Sequence, residues 1–153
     1  MQISQGAARR DHQFPGDDVK PALVVIARLT LPKPKRVIEE GIAVVSQPDI
    51  RGDRCDIKSI ALLPNVLIKE AAREQGAPEA WQIDRDGFVT DGRSTNAWII
   101  NAEGQLVTRQ AENFILNGIT RRRLIELAKA WGIKVLERPF TLNKEKSARK
   151  TFL

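Results

Sequence analysis

Residues 80–108 read AWQIDRDGFVTDGRSTNAWIINAEGQLVT. Four short β-favouring runs lie in this stretch: Ala80 to Ile83, Phe88 to Thr90, Thr95 to Ile100 and Gln105 to Thr108. Asp86-Gly87, Asp91-Gly92 and Glu103-Gly104 separate them, and such pairs accept the backbone of tight turns. The stretch therefore predicts a series of short strands. Working outward, Val66 to Gln75 has helical spacing and stops at Gly76. Asn117-Gly118 reads as another turn. Beyond it, Leu124, Ile125, Leu127, Ala128 and Trp131 fall on one stripe of a helix spanning Arg121 to Trp131, closed by Gly132. Ile133 to Leu136 is a further strand, and Asn143 to Lys150 a polar closing helix. Upstream, Pro21 to Leu29 and Gly41 to Gln47 read as strands. Leu31-Pro32-Lys33-Pro34-Lys35 lies between them. Two prolines flanking a lysine do not continue a central strand, so this is read as a stiff linker. Strands and helices do not alternate regularly, and the expected class is α+β. The expected organisation is a small part at 1–31, a linker at 32–35 and a main domain at 36–153.

Composition narrows the function classes. The chain has 153 residues, 42% hydrophobic and 29% charged, enough for a packed core. The net charge of +6 invites an anionic partner. Basic residues are nevertheless interleaved with acids, and aromatics make up 5% with no tyrosine, which argues against a stacking platform for single strands. Arg121 to Arg123 and the run from Lys144 to Lys150 are the strongest basis for a nucleic-acid face. Charge runs of that kind are ordinarily solvated, so nucleic acid is not an expected partner. No apolar run reaches bilayer length, and Met1 to Gln5 lacks a signal-peptide pattern, so no membrane association is expected. Cys55 is the only cysteine, which excludes an intrachain disulfide and suits a cytoplasmic setting. One histidine and one cysteine do not make the usual metal cluster. The glycine-rich phosphate loop, the dinucleotide fingerprint and the serine elbow are all missing from the sequence.

Four stretches could carry chemistry. Lys58, in Arg54-Cys55-Asp56-Ile57-Lys58-Ser59, sits between a strand and a helix beside Ile57 and Ile60. Desolvation there would favour the neutral amine, the form that condenses with an aldehyde; the plain alternative is a solvated surface charge. Thr120, ahead of the second helix, reads as a cap whose free backbone N–H groups can bind an anion. Arg121-Arg122-Arg123 then places three cations where the helix dipole disfavours them, a cost that a bound phosphate would offset. The alternative is an ordinary capped helix with exposed arginines. Val89 to Asn96 offers Asp91, Ser94 and Thr95 to a ring nitrogen and a phosphate, or else is a simple turn. Arg10 and His12, two apart on an extended segment, could grip one carboxylate, or else form a polar edge.

In order and spacing these stretches resemble the fold-type IV (class IV) pyridoxal-phosphate aminotransferases, and within them the D-amino acid aminotransferases. The matching segments are Arg10-Asp11-His12-Gln13-Phe14-Pro15, the lysine segment with Leu62-Leu63 and Asn65-Val66-Leu67, Asp86 to Gly92 with Ser94-Thr95-Asn96, and Ile115-Leu116-Asn117-Gly118-Ile119-Thr120-Arg121. The resemblance implies the cofactor pyridoxal 5'-phosphate and a ping-pong transfer of an amino group from a D-alanine-like amino acid to an α-keto acid such as 2-oxoglutarate. It implies that Lys58 forms the Schiff base and carries protons, that Ile119 and Thr120 hold the phosphate, and that Leu116 packs on the ring. Ser94 and Thr95 are implied to lie beside the cofactor. Arg10 and His12 are implied to hold the substrate carboxylate across a homodimer interface, a pair that favours D-amino acids over the branched-chain aminotransferases and aminodeoxychorismate lyases of the same fold.

The sequence departs from the family pattern in two ways. Asp91 stands where the family has a glutamate to pair with the ring nitrogen, so a weaker cofactor grip or slower turnover is expected, restored by Asp91→Glu. The family's small N-terminal domain is represented only by residues 1–31, and the family chain continues past Leu153 into another phosphate-binding segment. Truncation at both ends is therefore expected, with an incomplete cofactor cup and uncovered apolar surface.

Overall fold

The computed structural model describes residues 1–143 and 150–152. The chain divides into two units, Met1–Glu39 and Glu40–Leu153. In the first unit, β1 (Gln2–Ser4) pairs antiparallel with β2 (Ala22–Val24), Ile3 opposite Leu23. Both strands are exposed throughout. A lone two-stranded ribbon has little to bury, and the strand expected over 21–29 shrinks to these three residues. Lys35, read as linker, instead opens α1 (Lys35–Glu39). Pro34 sits just before it, and its carbonyl accepts the Val37 N–H at 3.0 Å.

The second unit carries β3 (Val44–Pro48), α2 (Leu63–Glu74), β4 (Glu79–Ile83), β5 (Val89–Gly92), β6 (Trp98–Ile100), β7 (Leu106–Thr108), α3 (Ile119–Ala130), β8 (Val135–Glu137) and β9 (Lys150–Phe152). One sheet has the order β3-β4-β5, the other β8-β7-β6-β9. β3 and β4 are parallel and joined through α2; β7 and β8 are parallel and joined through α3. The remaining pairs are antiparallel. The result is a mixed helix-and-sheet fold holding two crossover units. The helix expected over 143–150 falls mainly on 144–149, outside the described residues, and its last residue, Lys150, begins β9.

The core follows from strand alternation. On β6 and β7, Ile99 and Val107 face one side, with Trp81, Val89, Ala97 and Phe140. Trp98 and Leu106 face the other, against Ile125 and Ala128 of α3. Both faces of this sheet are thus covered, and its inner strands read as continuous apolar runs. Trp81 meets Phe140 edge-on at 6.0 Å. α2 lays Ile68 and Ala72 on Ala80 and Val45. It begins at Leu63 rather than Val66 because Pro64 suits a first helical turn.

One turn and one helix cap differ from the expectation. Asp91 and Gly92 belong to β5, where Gly92 pairs with Trp81 and accepts a 2.9 Å hydrogen bond from Gln82 Nε2 at its carbonyl. The ladder extends through them, and the bend comes at 93–95, where the Gly92 N–H reaches Thr95 O at 2.8 Å. The cap of α3 is Gly118, with no side-chain cap bond, and Thr120 lies inside the first turn.

Candidate functional site

β5 delivers Asp91 to the wall of a cavity of about 480 Å³. The Asp91 residue is 4% exposed, and both carboxylate oxygens are engaged. Arg51 Nη1 donates to Oδ2 at 3.0 Å, and Asn96 Nδ2 donates to Oδ1 at 2.9 Å. Burial pushes the Asp91 carboxyl up to about 6, against the pull of Arg51 and Asn96. Arg51 follows β3 and also grips Asp49, with Nε on Oδ1 at 3.0 Å and Nη2 on Oδ2 at 2.7 Å. Burial also acts to raise Asp49, but the Arg51 fork and the Thr90 hydroxyl, at 2.7 Å, hold it below the usual carboxylate range. The Cys55 thiol, beside this cluster, is raised chiefly by burial.

Lys58 lines the same cavity, from the loop joining β3 to α2. Its loop is exposed: Ile57 is 55% and Ile60 73% accessible. The apolar surroundings expected for Lys58 are therefore not those of a buried pocket. Arg54, Pro64, Asn65, Lys69 and Arg93 add to the lining. Asn65, in the first turn of α2, donates through Nδ2 to Arg93 O and ties the helix to the 93–95 bend.

The third side is the entry to α3. Gly118 and Leu116 line the cavity, and Ile119 and Thr120 follow directly as the first two residues of the helix, both exposed. The first backbone N–H groups of α3 have no acceptor within the helix. Asn96 Nδ2 also donates to Leu116 O at 3.0 Å, so one amide joins Asp91 to the helix entry. A Cβ on Gly118 would stand 2.7 Å from Asn96 Oδ1; glycine there permits this close approach.

The cations of α3 need no bound phosphate to balance Arg121. Its guanidinium, 3% exposed as a residue, pairs with Glu137 at 2.6 Å and donates to Arg109 O at 2.9 Å. Arg123 pairs with Glu126 at 2.8 Å. Arg122 is exposed.

Of the residues selected from sequence, Lys58, Asp91, Ser94, Thr95 and Leu116 share one cavity, whereas Ile119 and Thr120 do not line it and only follow the lining residue Gly118 in the chain. Arg10 and His12 belong to the first unit, both exposed and in irregular chain rather than an extended edge strand. Sequence reasoning missed Asp49, Arg51 and Asn96. Asp49-Ile50-Arg51 does carry opposite charges two residues apart, but nothing local says that Arg51 reaches a residue forty positions on.

The residues present suit pyridoxal phosphate. An amine, a buried carboxylate, an apolar side chain and a helix start converge on a cavity of small-ligand size. Thr95 Oγ1 is buried with no hydrogen-bond partner among the described residues, an acceptor or donor left over for a ligand. Among the described residues there is no metal-ligand cluster, and no helix is long and apolar enough to cross a membrane.

Comparison with known proteins adds the following. The profile of Amino-transferase class IV matches residues 1–153. The D-alanine aminotransferase of Staphylococcus epidermidis is 42% identical over 148 residues, 97% of this chain and 51% of that protein. The Listeria monocytogenes D-alanine aminotransferase is 38% identical over 154 residues, covering 100% of this chain and 53% of its own length. The chain thus spans about half the length of the curated relatives it matches. Among solved structures, a provisionally assigned 4-amino-4-deoxychorismate lyase from Legionella pneumophila aligns with TM-score 0.78 at 23% identity, covering 99% of this chain and 55% of that one. An aminotransferase from Brucella abortus, bound to the cofactor PLP, aligns with TM-score 0.72 at 22% identity over 82% of this chain and 45% of that one. At these identities the two structures speak to the fold alone.

Proposed function

Since the chain belongs to the class IV aminotransferase family, we propose that it binds pyridoxal phosphate at Lys58 and serves the transfer of an amino group from a D-alanine-like amino acid to an α-keto acid such as 2-oxoglutarate. The observation that carries this reading is the single cavity shared by Lys58, Asp91, Ser94, Thr95 and Leu116. Pyridoxal phosphate, when bound, supplies the electron sink that allows a Cα–H bond of the amino acid to break. Lys58 is the amine that would hold the cofactor aldehyde, with loss of water, and, once displaced by the amino group of the substrate, would be the free base that takes the α-proton and returns it. Asp91 offers a fixed anion to the ring nitrogen. Leu116 packs against the ring. The hydroxyls of Ser94 and Thr95 and the backbone N–H groups of Ile119 and Thr120 hold the phosphate. Arg10 and His12 hold the substrate carboxylate, supplied by a partner copy in a homodimer, in a cytoplasmic setting.

The test is to incubate the chain with pyridoxal phosphate, reduce with borohydride and map the labelled peptide by mass spectrometry. Stoichiometric label on Lys58, with D-alanine-dependent pyruvate formation in the presence of 2-oxoglutarate, is the expected result. Label scattered over surface lysines would leave a chain with the family's sequence and no working site.

A further inference from the structure

Arg51 is built into more of this site than any residue selected from the sequence. Its Nε and Nη2 fork Asp49, its Nη1 takes Asp91 Oδ2, and Nη2 also reaches Thr90 Oγ1 at 3.3 Å and Phe114 O at 3.2 Å. The Arg51 side chain is 12% exposed, that of Asp49 9% and that of Asp91 5%. Three charges are thus held together away from water, which is tolerated when geometry and partners are complete. Asn96 closes the other side of the carboxylate.

We propose that Arg51 is a positioning residue for Asp91: clamped by Asp49, it fixes the Asp91 carboxylate as an anion, in one orientation, in the wall of the Lys58 cavity. The physical need is clear. A carboxylate this deep favours its neutral form unless a cation stands beside it. A neutral acid presents a proton rather than accepting one, and holds no protonated ring nitrogen. Of the ionisable groups beside Asp91, Arg51 favours its ionised form and Asp49 repels it; the Cys55 thiol, held neutral by burial, adjoins them, and Arg54, Lys58, Lys69 and Arg93 line the same cavity. Arginine rather than lysine is required because a planar fork can hold two carboxylates at fixed angles and a point charge cannot. The functional half of the proposal, a ring nitrogen met by Asp91, rests on the cofactor reading above; the coupling of Arg51 to Asp91 does not.

The experiment follows the Asp91 side-chain carboxyl by carbon-13 NMR across pH, assigned with Asp91→Asn, in the wild-type chain, Arg51→Lys and Asp49→Asn, with circular dichroism as the check on folding. Arg51→Lys moves the Asp91 midpoint up by roughly one unit or more. Asp49→Asn moves it down, because the charge that repels ionised Asp91 is removed and the guanidinium is no longer shared. A purely structural Arg51 changes stability and leaves the Asp91 midpoint of Arg51→Lys in place, and that result in the folded variant overturns the proposal. Should Arg51→Lys not fold, the Asp91 midpoint is read in Arg51→Gln, which keeps planar N–H donors without the charge: an upward shift supports the proposal, none overturns it. In parallel, affinity for 4'-deoxypyridoxine 5'-phosphate, which lacks the aldehyde and so does not react with Lys58, falls about twofold or more at pH 7 in Arg51→Lys, because a midpoint raised from about 6 by about one unit lowers the ionised fraction of Asp91 from roughly nine-tenths to roughly half. Midpoints that shift in a chain that neither binds this analogue nor takes label on Lys58 uphold the positioning role and overturn the cofactor reading. Label on Lys58 with unmoved midpoints does the reverse.

Discussion

The two walls of the Lys58 cavity are built on opposite principles. The Asp91 wall is strand and ion pair: Thr90 is 2% exposed, Gln82 0%, and Asp91 and Asp49 are both tied to Arg51. The Lys58 wall is an irregular loop whose apolar residues Ile57, Ile60 and Leu62 are 55%, 73% and 57% exposed. The difference follows from what each wall rests on. β5 is hydrogen-bonded to β4 and backed by Trp81 and Phe140, so a charge placed on it has fixed neighbours. The loop has few buried contacts, and segments of that kind open at low free-energy cost.

The sharpest way to break this contrast is Arg51→Ala. It leaves Asp49 and Asp91 buried without their shared cation, and the expected loss is about 3–5 kcal/mol in urea unfolding. A loss below roughly 1 kcal/mol, the range of an exposed pair, would mean that the network is solvated and that the Asp91 wall is no more rigid than the other.

A pH series sharpens the same contrast. The Asp91 carboxyl, raised from 3.8 to about 6, binds its proton more tightly in the folded chain than in the unfolded one. Its contribution is therefore largest at low pH, and stability falls as pH rises from about 4 to about 6, by on the order of 2–3 kcal/mol. Asp49, held low, acts in the opposite sense, and its contribution is lost only as pH falls below the ordinary carboxylate range. Urea midpoints taken at several pH values should show the fall between 4 and 6, and Asp91→Asn should abolish it. A slope unchanged in Asp91→Asn would assign it to other groups.

Gly118→Ala probes the joint between the Asp91 wall and the helix. The new Cβ would lie 2.7 Å from Asn96 Oδ1, on a side chain that both Asp91 and Leu116 hold in place. The expected cost is about 1 kcal/mol or somewhat more, at the low end for overpacking, because only a side-chain tip must move. A neutral result would show that Asn96 swings freely and that Asp91 keeps only Arg51.

The contrast also explains what could be read in advance. The strands at 80–108 and the helices closed by Gly76 and Gly132 were legible because period and turn chemistry are local. Lys58, Asp91 and Leu116 were legible through resemblance, and the cavity does bring them together. Arg51 was not, since three of its partners sit 39, 40 and 63 positions away, and it is the folded β3-β4-β5 sheet that brings Thr90 and Asp91 to it. The extent of β5 through Asp91-Gly92 was misread for a related reason: a dipeptide that suits a turn was overridden by pairing with β4. Thr120 was taken for a cap because its hydroxyl could serve, whereas Gly118 supplies the entry angle without one.

Lys58→Ala carries the smallest effect on stability and the largest separation between the walls. Nothing in the exposed loop packs on Lys58 strongly enough to matter, so the change should stay within about 0.5 kcal/mol. The borohydride-trapped label should nevertheless vanish, while affinity for the aldehyde-free analogue changes less than it does in Arg51→Lys. That pattern would place cofactor grip on the Asp91 wall and bond formation on the loop. If Lys58→Ala instead unfolded the chain as Arg51→Ala is expected to, the loop would be part of the framework, and the division of labour between the walls would have to be abandoned.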